Sequence, residues 1–173
     1  ELVPTKDDEG NVNLALLEAA KPNADSTIAG WCPARHCLEF LNDGFYNNCR
    51  SWITNSGGPE AWAEIDLGAV YVVKKVAFGS DHCGNYKDRA ATKFRILTAT
   101  QYDKDSGAAT WKEVFAYDKA DSPINQTNTF KVKESEAGYV RISVLNGAAG
   151  VRIDEIEVYG TALTGTAVFP QGK

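Results

Sequence analysis

The chain has 173 residues, of which 43% are hydrophobic, enough to bury the core of one domain. Its 23 acidic and 18 basic residues give a net charge of −5, and no cluster of Lys or Arg appears. A nucleic-acid-binding surface needs a basic stripe, so we expect no nucleic-acid partner. No apolar run reaches the roughly 18 residues of a membrane-spanning helix, so we expect no membrane insertion.

In chain order, a polar lead-in (residues 1–10) precedes the patterned part, and a Gly/Thr-rich tail or linker stub (161–173) follows it. Hydrophobic alternation with period two predicts strands in five regions: 61–67, 73–78, 94–98, 139–144 and 151–159. Turn-forming clusters separate several of these regions, and only residues 14–20 suit a short helix. Short strands without a βαβ rhythm predict an all-β sandwich or jelly roll.

Four cysteines lie in the first half of the chain, at Cys32, Cys37, Cys49 and Cys83. Two disulfides are one interpretation, and sequence does not choose among the three possible connectivities. A zinc site with His36 and His82 is the alternative, but C-x4-C without a second short-spaced pair is not the usual zinc arrangement. We therefore favour disulfides and expect a secreted or cell-surface protein. The chain has no methionine, even at position 1, so we expect a processed chain or a piece of a larger protein.

A series of motifs gives the chain a family resemblance. In order, they are residues 42–44, Ser51-Trp52, residues 62–68 followed by 73–78, Asp88-Arg89, residues 110–114 and residues 154–160. This series is similar to the coagulation factor 5/8 type C (discoidin) family over residues 11–160. The resemblance implies an eight-stranded jelly-roll β-sandwich of the galactose-binding-like class. It extends to family 32 carbohydrate-binding modules, the fucose-binding eel agglutinin and discoidin modules of secreted planctomycete proteins.

The resemblance also implies a structural calcium, which the sugar-binding members of the family hold. Asp43 matches the family's aspartate and Glu155 its late glutamate, in a loop whose glycine and asparagines suit calcium. The full set of implied ligands is Phe40, Asp43, Phe45, Asn48, Ser51 and Glu155. Phe40 and Phe45 would offer carbonyl oxygens, while Ser51 fits a further ligand by residue type and Asn48 by spacing. The alternative is an ordinary Asn-Asp-Gly turn near a surface glutamate.

Sugar recognition in this family uses loops at one end of the sandwich. Polar side chains bind the hydroxyl groups and an aromatic ring stacks on the sugar. The carbohydrate-binding candidates are Trp31, His36, Asp81, His82, Asn85, Tyr86 and Arg89. Trp31 and His36 could instead fold over the sandwich end, and Asp88-Arg89 could be a buried ion pair that braces the loop. The vicinal cysteine pair of fucose-binding relatives is absent, so fucose specificity does not follow.

Motifs of hydrolases, metalloproteases and nucleotide-binding enzymes are absent, so we expect no catalysis. The sequence therefore predicts a calcium-stabilised carbohydrate-binding module that recognises a glycan or polysaccharide within a larger protein. The alternatives are a protein-binding adhesion module and a structural spacer. Lipid binding is disfavoured, because the chain is acidic and lacks a basic patch.

Overall fold

The computed structural model describes residues 4–46, 50–55, 61–103, 106–146 and 150–163. These residues form nine β-strands and two short 3-10 helices, Leu14–Leu16 and Leu38–Asn42. The strands are β1 (Val12–Asn13), β2 (Lys21–Ala24), β3 (Trp52–Ile53), β4 (Ala61–Phe78), β5 (Lys93–Ala99), β6 (Lys112–Asp118), β7 (Asn128–Val144), β8 (Arg152–Ile153) and β9 (Ile156–Ala162). The predicted all-β sandwich is confirmed, and three of the nine strands, β1, β3 and β8, have only two residues each.

Strands β4 and β7 are long enough to run through both layers of the sandwich. Residues 61–66 of β4 pair with 139–144 of β7, and residues 71–78 pair with 128–137. The first of these paired segments is flanked by β2 on one side and by β5 and β6 on the other. The second is flanked by β9, which in turn pairs with β1. All these pairs are antiparallel, and β3 and β8 form a separate two-stranded ladder.

The change of layer in β4 occurs at Gly68. The register between β4 and β7 shifts between Asp66 and Tyr71, and Gly68 has a φ of +74°. A Cβ at this position would lie 2.5 Å from the Cβ of Ala19. Both the left-handed backbone and the close packing therefore require glycine.

Aromatic side chains from both layers fill the core between them. Phe78 of β4 and Phe94 of β5 are buried, and their ring centroids lie 4.9 Å apart in an edge-to-face arrangement. Tyr117 of β6 stacks on Phe94, also with centroids 4.9 Å apart. Trp52 is fully buried, and its indole N–H donates to the carbonyl of Ser26 at 2.9 Å. Contacts across the two layers thus hold the sandwich closed.

The lead-in is attached to the sandwich through Lys75. The Lys75 ammonium lies 2.9 Å from a carboxylate oxygen of Asp7 and 3.2 Å from one of Glu9.

At the other end of the described chain, strand β9 continues to Ala162. The domain boundaries at residues 10 and 160 stay predictions. No helix of the described residues is long and apolar enough to cross a membrane.

Several strand ends and loops meet at one end of the sandwich. Phe78, the last residue of β4, pairs with Asn128 at the start of β7 and with Ile156 at the start of β9. The connecting segments therefore lie side by side, and Ser80 N–H donates to the carbonyl of Asn125 at 2.8 Å. Two further segments adjoin this region: the Tyr46 ring lies 4.4 Å from the His82 ring, and His36 Nδ1 lies 2.8 Å from the hydroxyl of Ser51, which precedes β3. We call the whole region the loop end and define it as residues 29–37, 43–46, 79–92 and 124–127.

Candidate functional site

Asp81 organises the 79–92 loop from inside. Its side chain is fully buried, and its carboxylate accepts the backbone N–H groups of Cys83 at 3.2 Å and Tyr86 at 2.6 Å. The buried guanidinium of Arg152 lies 3.4 Å from the same carboxylate and donates to the carbonyl of Ser80 at 2.5 Å. Asp81 therefore has no exposed surface for a glycan. Its place is beneath the loop, as a positioning residue.

Tyr86 is the aromatic group that this arrangement presents to solvent. Its side chain is 51% exposed, whereas its backbone is held by Asp81 and by Arg152, which donates to the Tyr86 carbonyl at 3.3 Å. The Arg152 guanidinium also lies 5.5 Å from the centroid of the Tyr86 ring. Because the backbone is fixed, the point from which the exposed Tyr86 ring projects into solvent is fixed as well.

His82 lies beside a second aromatic ring at the loop end. Its ring centroid is 4.4 Å from that of Tyr46, and its Nδ1 is 3.0 Å from the Thr127 hydroxyl. The backbone N–H of His82 donates to the buried carboxylate of Asp154 at 2.7 Å. Burial raises the pKa of Asp154 to about 6. The position of the exposed His82 ring is thus fixed by the hydrogen bond of its backbone to Asp154 and by the contacts of the ring with Tyr46 and Thr127.

The other two candidates of this loop, Asn85 and Arg89, differ in how they are held. Asn85 is exposed. The Arg89 guanidinium forms an ion pair with the adjacent Asp88, and both side chains are partly exposed. The carbonyl of Arg89 accepts the Ser80 hydroxyl at 2.9 Å, which fixes its backbone. The ion pair considered from the sequence is therefore present, but it lies at the surface and is not buried, so Arg89 remains accessible to a ligand.

Trp31 and His36 lie in a loop closed by a disulfide between Cys32 and Cys37. Trp31 is 47% exposed and lies edge-on to His36, with ring centroids 5.8 Å apart. The Nδ1 atom of His36 is 2.8 Å from the Ser51 hydroxyl. Burial, and after it the positive charge of Arg152, lowers the pKa of His36. The lowered pKa favours the neutral imidazole, whose ring contacts the edge of Trp31.

The disulfide decides part of the cysteine question. Cys32 and Cys37 are bonded to each other, so they are not available as zinc thiolates. Cys83 carries a free, exposed thiol. Cys49 lies outside the described residues. One of the two expected disulfides is thus present. The second would have to join Cys83 to Cys49, and the Cys83 thiol is free in this structure.

The exposed aromatic surface of the loop end is its main chemical feature. Among the described residues, three large hydrophobic side chains are strongly exposed: Trp31 at 47%, Phe45 at 51% and Tyr86 at 51%. All three belong to the loop end, although they come from three separate loops. Arg89, His82 and Asn85 lie in the same region and supply hydrogen-bonding groups. Stacking rings beside polar groups are the combination that sugar binding needs.

The predicted calcium ligands Asp43 and Glu155 do come together. The buried Glu155 carboxylate accepts the backbone N–H of Gly44 at 3.1 Å and that of Asp43 at 3.2 Å. Burial raises the pKa of Glu155 to about 9. Ser51 is buried with its hydroxyl on His36, Phe40 is half-buried, and Asn48 lies outside the described residues.

This arrangement does not fit the calcium that the resemblance implies. One Asp43 carboxylate oxygen accepts the Phe45 N–H at 3.0 Å, and the other forms an ion pair with Arg50. A guanidinium therefore already balances the Asp43 charge, and it would repel a divalent cation at the same oxygen. Sequence reasoning missed Arg50 and Arg152. The only feature of the sequence that could have indicated them is their position: Arg50 follows the Asp43 loop, and Arg152 precedes the 154–160 motif.

Residues 23–156, well over half of the chain, match the family model of the F5/8 type C domain. Among curated proteins, no sequence matches the chain significantly.

Solved structures of carbohydrate-binding modules share the fold. Chitosan-binding module 2 of a Paenibacillus sp. IK-5 chitosanase/glucanase, in complex with chitotriose, is 24% identical with a TM-score of 0.66, covering 86% of this chain and 100% of that one. The Clostridium perfringens module CpGH89CBM32-5, in complex with GalNAc-β-1,3-galactose, is 18% identical with a TM-score of 0.64, covering 82% and 96%. A family 89 glycoside hydrolase from C. perfringens is 22% identical with a TM-score of 0.63 and covers 91% of this chain, but the match spans only 16% of that enzyme.

Proposed function

Because the chain belongs to the F5/8 type C domain family, we propose that it is a non-catalytic carbohydrate-binding module that captures a glycan at the loop end. The observation that carries this proposal is that Trp31, Phe45 and Tyr86, the three strongly exposed large hydrophobic side chains of the described residues, all belong to loops of that one end. Exposed rings cost free energy in water unless a ligand covers them, and the apolar face of a sugar does so.

The compounds bound in the neighbouring structures suggest which glycans to test first. One neighbour is in complex with chitotriose and another with GalNAc-β-1,3-galactose. Both ligands are short oligosaccharides: GalNAc-β-1,3-galactose is neutral, and chitotriose carries amino groups. The net negative charge of this chain suits a ligand with amino groups. Amino-sugar oligosaccharides are therefore the preferred ligand class in this proposal.

In this proposal the module itself has no catalytic group. Asp154 and Glu155 have the raised carboxyl pKa values that an acid catalyst needs, but both are buried. Each accepts backbone N–H groups inside the domain. Neither side chain is placed to reach a substrate. The match spans only 16% of the family 89 enzyme, which supports a module within a larger protein that it would deliver to a glycan. The Cys32–Cys37 disulfide supports a secreted or cell-surface location.

Calcium is not required by this mechanism. The resemblance implies a calcium at Asp43 and Glu155, but the glycan-facing groups Tyr86 and His82 are positioned through Asp81, Arg152 and Asp154. None of these contacts passes through Asp43.

A glycan array with the purified chain tests the proposal. We expect binding to at least one saccharide class, and calorimetry on that glycan should give an affinity about tenfold weaker for Tyr86→Ala or Trp31→Ala, since one stacked ring contributes on the order of 1.4 kcal/mol. Tyr102→Ala is the matched control, because Tyr102 packs against Tyr139 at the opposite end of the sandwich. Silence of the folded protein across a broad array would favour the protein-binding adhesion module instead.

A further inference from the structure

The Asp43 loop brings two carboxylates close together at the edge of the loop end. It follows the 3-10 helix Leu38–Asn42, and the backbone N–H groups of Asp43 and Gly44 both donate to Glu155. Glu155 is only 1% exposed, and the Asp43 side chain is 15% exposed. Two acidic side chains in a poorly hydrated loop favour a cation beside them.

Arg50 supplies such a cation from the chain itself. Its guanidinium pairs with Asp43 and lies 4.6 Å from the centroid of the Phe40 ring and 5.0 Å from that of the Phe45 ring. Phe40 and Phe45 flank Asp43 in sequence, so the guanidinium is held between both sides of the loop. These three contacts distinguish it from an isolated surface ion pair, which contributes little to stability.

Two of the side chains that calcium would need are engaged by other groups of the chain. Calcium takes six to eight oxygen ligands. The Ser51 hydroxyl lies against His36, and the second Asp43 oxygen accepts the Phe45 N–H. We infer that Arg50 is the resident cation of the Asp43 loop, and that its guanidinium takes over the charge-balancing role of calcium in this chain.

Thermal unfolding with and without calcium tests this inference. For the unmodified chain we expect the same Tm, within about 1 °C, in about 1 mM EDTA and in about 5 mM CaCl2, since a ligand that does not bind the native state does not stabilise it. A Tm that rises by about 5 °C or more with calcium, or one calcium bound per chain by calorimetry in this range, would overturn the inference.

Substitution of Arg50 tests whether its guanidinium stabilises the Asp43 loop. In EDTA, Arg50→Gln should lower the Tm by about 3–6 °C, because it removes the ion pair with Asp43 and the two cation–π contacts of the guanidinium. Arg50→Lys should recover part of that loss, since it keeps the charge but not the planar fork. Arg35→Gln is the matched control, because Arg35 is an exposed arginine of the neighbouring 29–37 loop. If Arg50→Gln fails to fold, the Tm of Arg50→Lys relative to Arg35→Gln decides. A Tm of the Arg50 variants equal to that of the control contradicts the proposed role.

Discussion

At the scale of single residues, buried charges rather than exposed ones shape the loop end. Asp81 and Arg152 form a buried pair whose hydrogen bonds go to the backbone of Ser80, Cys83 and Tyr86. Each partner compensates the desolvation of the other, and together they determine where the exposed Tyr86 ring stands. Rigid support of this kind allows a small polar contact area to bind a ligand without first ordering the loop.

Removing one member of this pair should therefore be costly. We expect Asp81→Ala to lower the free energy of unfolding by about 3–5 kcal/mol, because it leaves the Arg152 guanidinium buried without this carboxylate. Urea denaturation measures the change. Asp88→Ala, which removes an exposed carboxylate of the same loop, should stay within about 0.5 kcal/mol of the unmodified chain. Equal effects of the two variants would show that Asp81 does not organise the loop.

The sequence indicated the residue types of the site but not their roles. The density of polar groups in residues 79–89 indicated a loop, and the structure has a loop there, at one end of the sandwich. Trp31 and Tyr86 are exposed, and their role as stacking groups stays a prediction. Asp81 looked equally suited to bind sugar, since sequence does not show which carboxylate is buried. Arg50 went unnoticed because its contact with Asp43 depends on how the intervening loop turns back. Pairwise geometry of this kind is fixed by tertiary structure alone.

At the scale of elements, the outer face of β4 and β7 carries a second charged pair. Arg141 of β7 donates through Nε to Glu64 of β4 at 2.8 Å, and Glu64 is 1% exposed. The Arg141 guanidinium is also sandwiched between two indole rings, 3.8 Å from the Trp62 centroid and 4.1 Å from that of Trp111. Strands β4, β6 and β7 are thereby linked through side chains as well as through the backbone ladder.

This linkage makes Glu64 important for stability. We expect Glu64→Gln to lower the free energy of unfolding by about 2–4 kcal/mol, since it removes the negative charge that compensates the buried side of Arg141. Guanidinium denaturation is unsuitable for a charged pair, so urea is the denaturant of choice. Glu136→Gln on β7 is the control, because Glu136 is exposed. A loss no larger than that of the control would indicate that the indole rings alone hold Arg141.

Period-two alternation predicted where strands occur better than where they end. Residues 61–67 and 73–78 were predicted as two strands, and they belong to one strand, β4, with an irregularity at Gly68. Residues 151–159 were predicted as one stretch and form β8 and β9 instead. The reason is physical in both cases: side-chain alternation continues across a bend, whereas strand boundaries depend on which backbone groups find partners.

At the scale of the whole molecule, the fold separates support from recognition. The two layers bury the hydrophobic side chains of the alternating strands, and the loop end collects the exposed aromatic groups of the described residues. Such a surface binds passively and through few contacts, so one module is expected to bind weakly, with a Kd of about 1 mM to 10 µM. Attachment to a larger protein with further binding sites would raise the overall affinity through avidity.

The most direct test of the central claim is an NMR titration of the isotopically labelled chain with the glycan that gives the strongest array signal. A glycan site at the loop end predicts chemical-shift changes at the indole N–H of Trp31 and at backbone amides of residues 79–90, with the outer face of β4 and β7 unaffected. Changes confined to that outer face, or none up to about 10 mM glycan, would contradict a glycan site at the loop end.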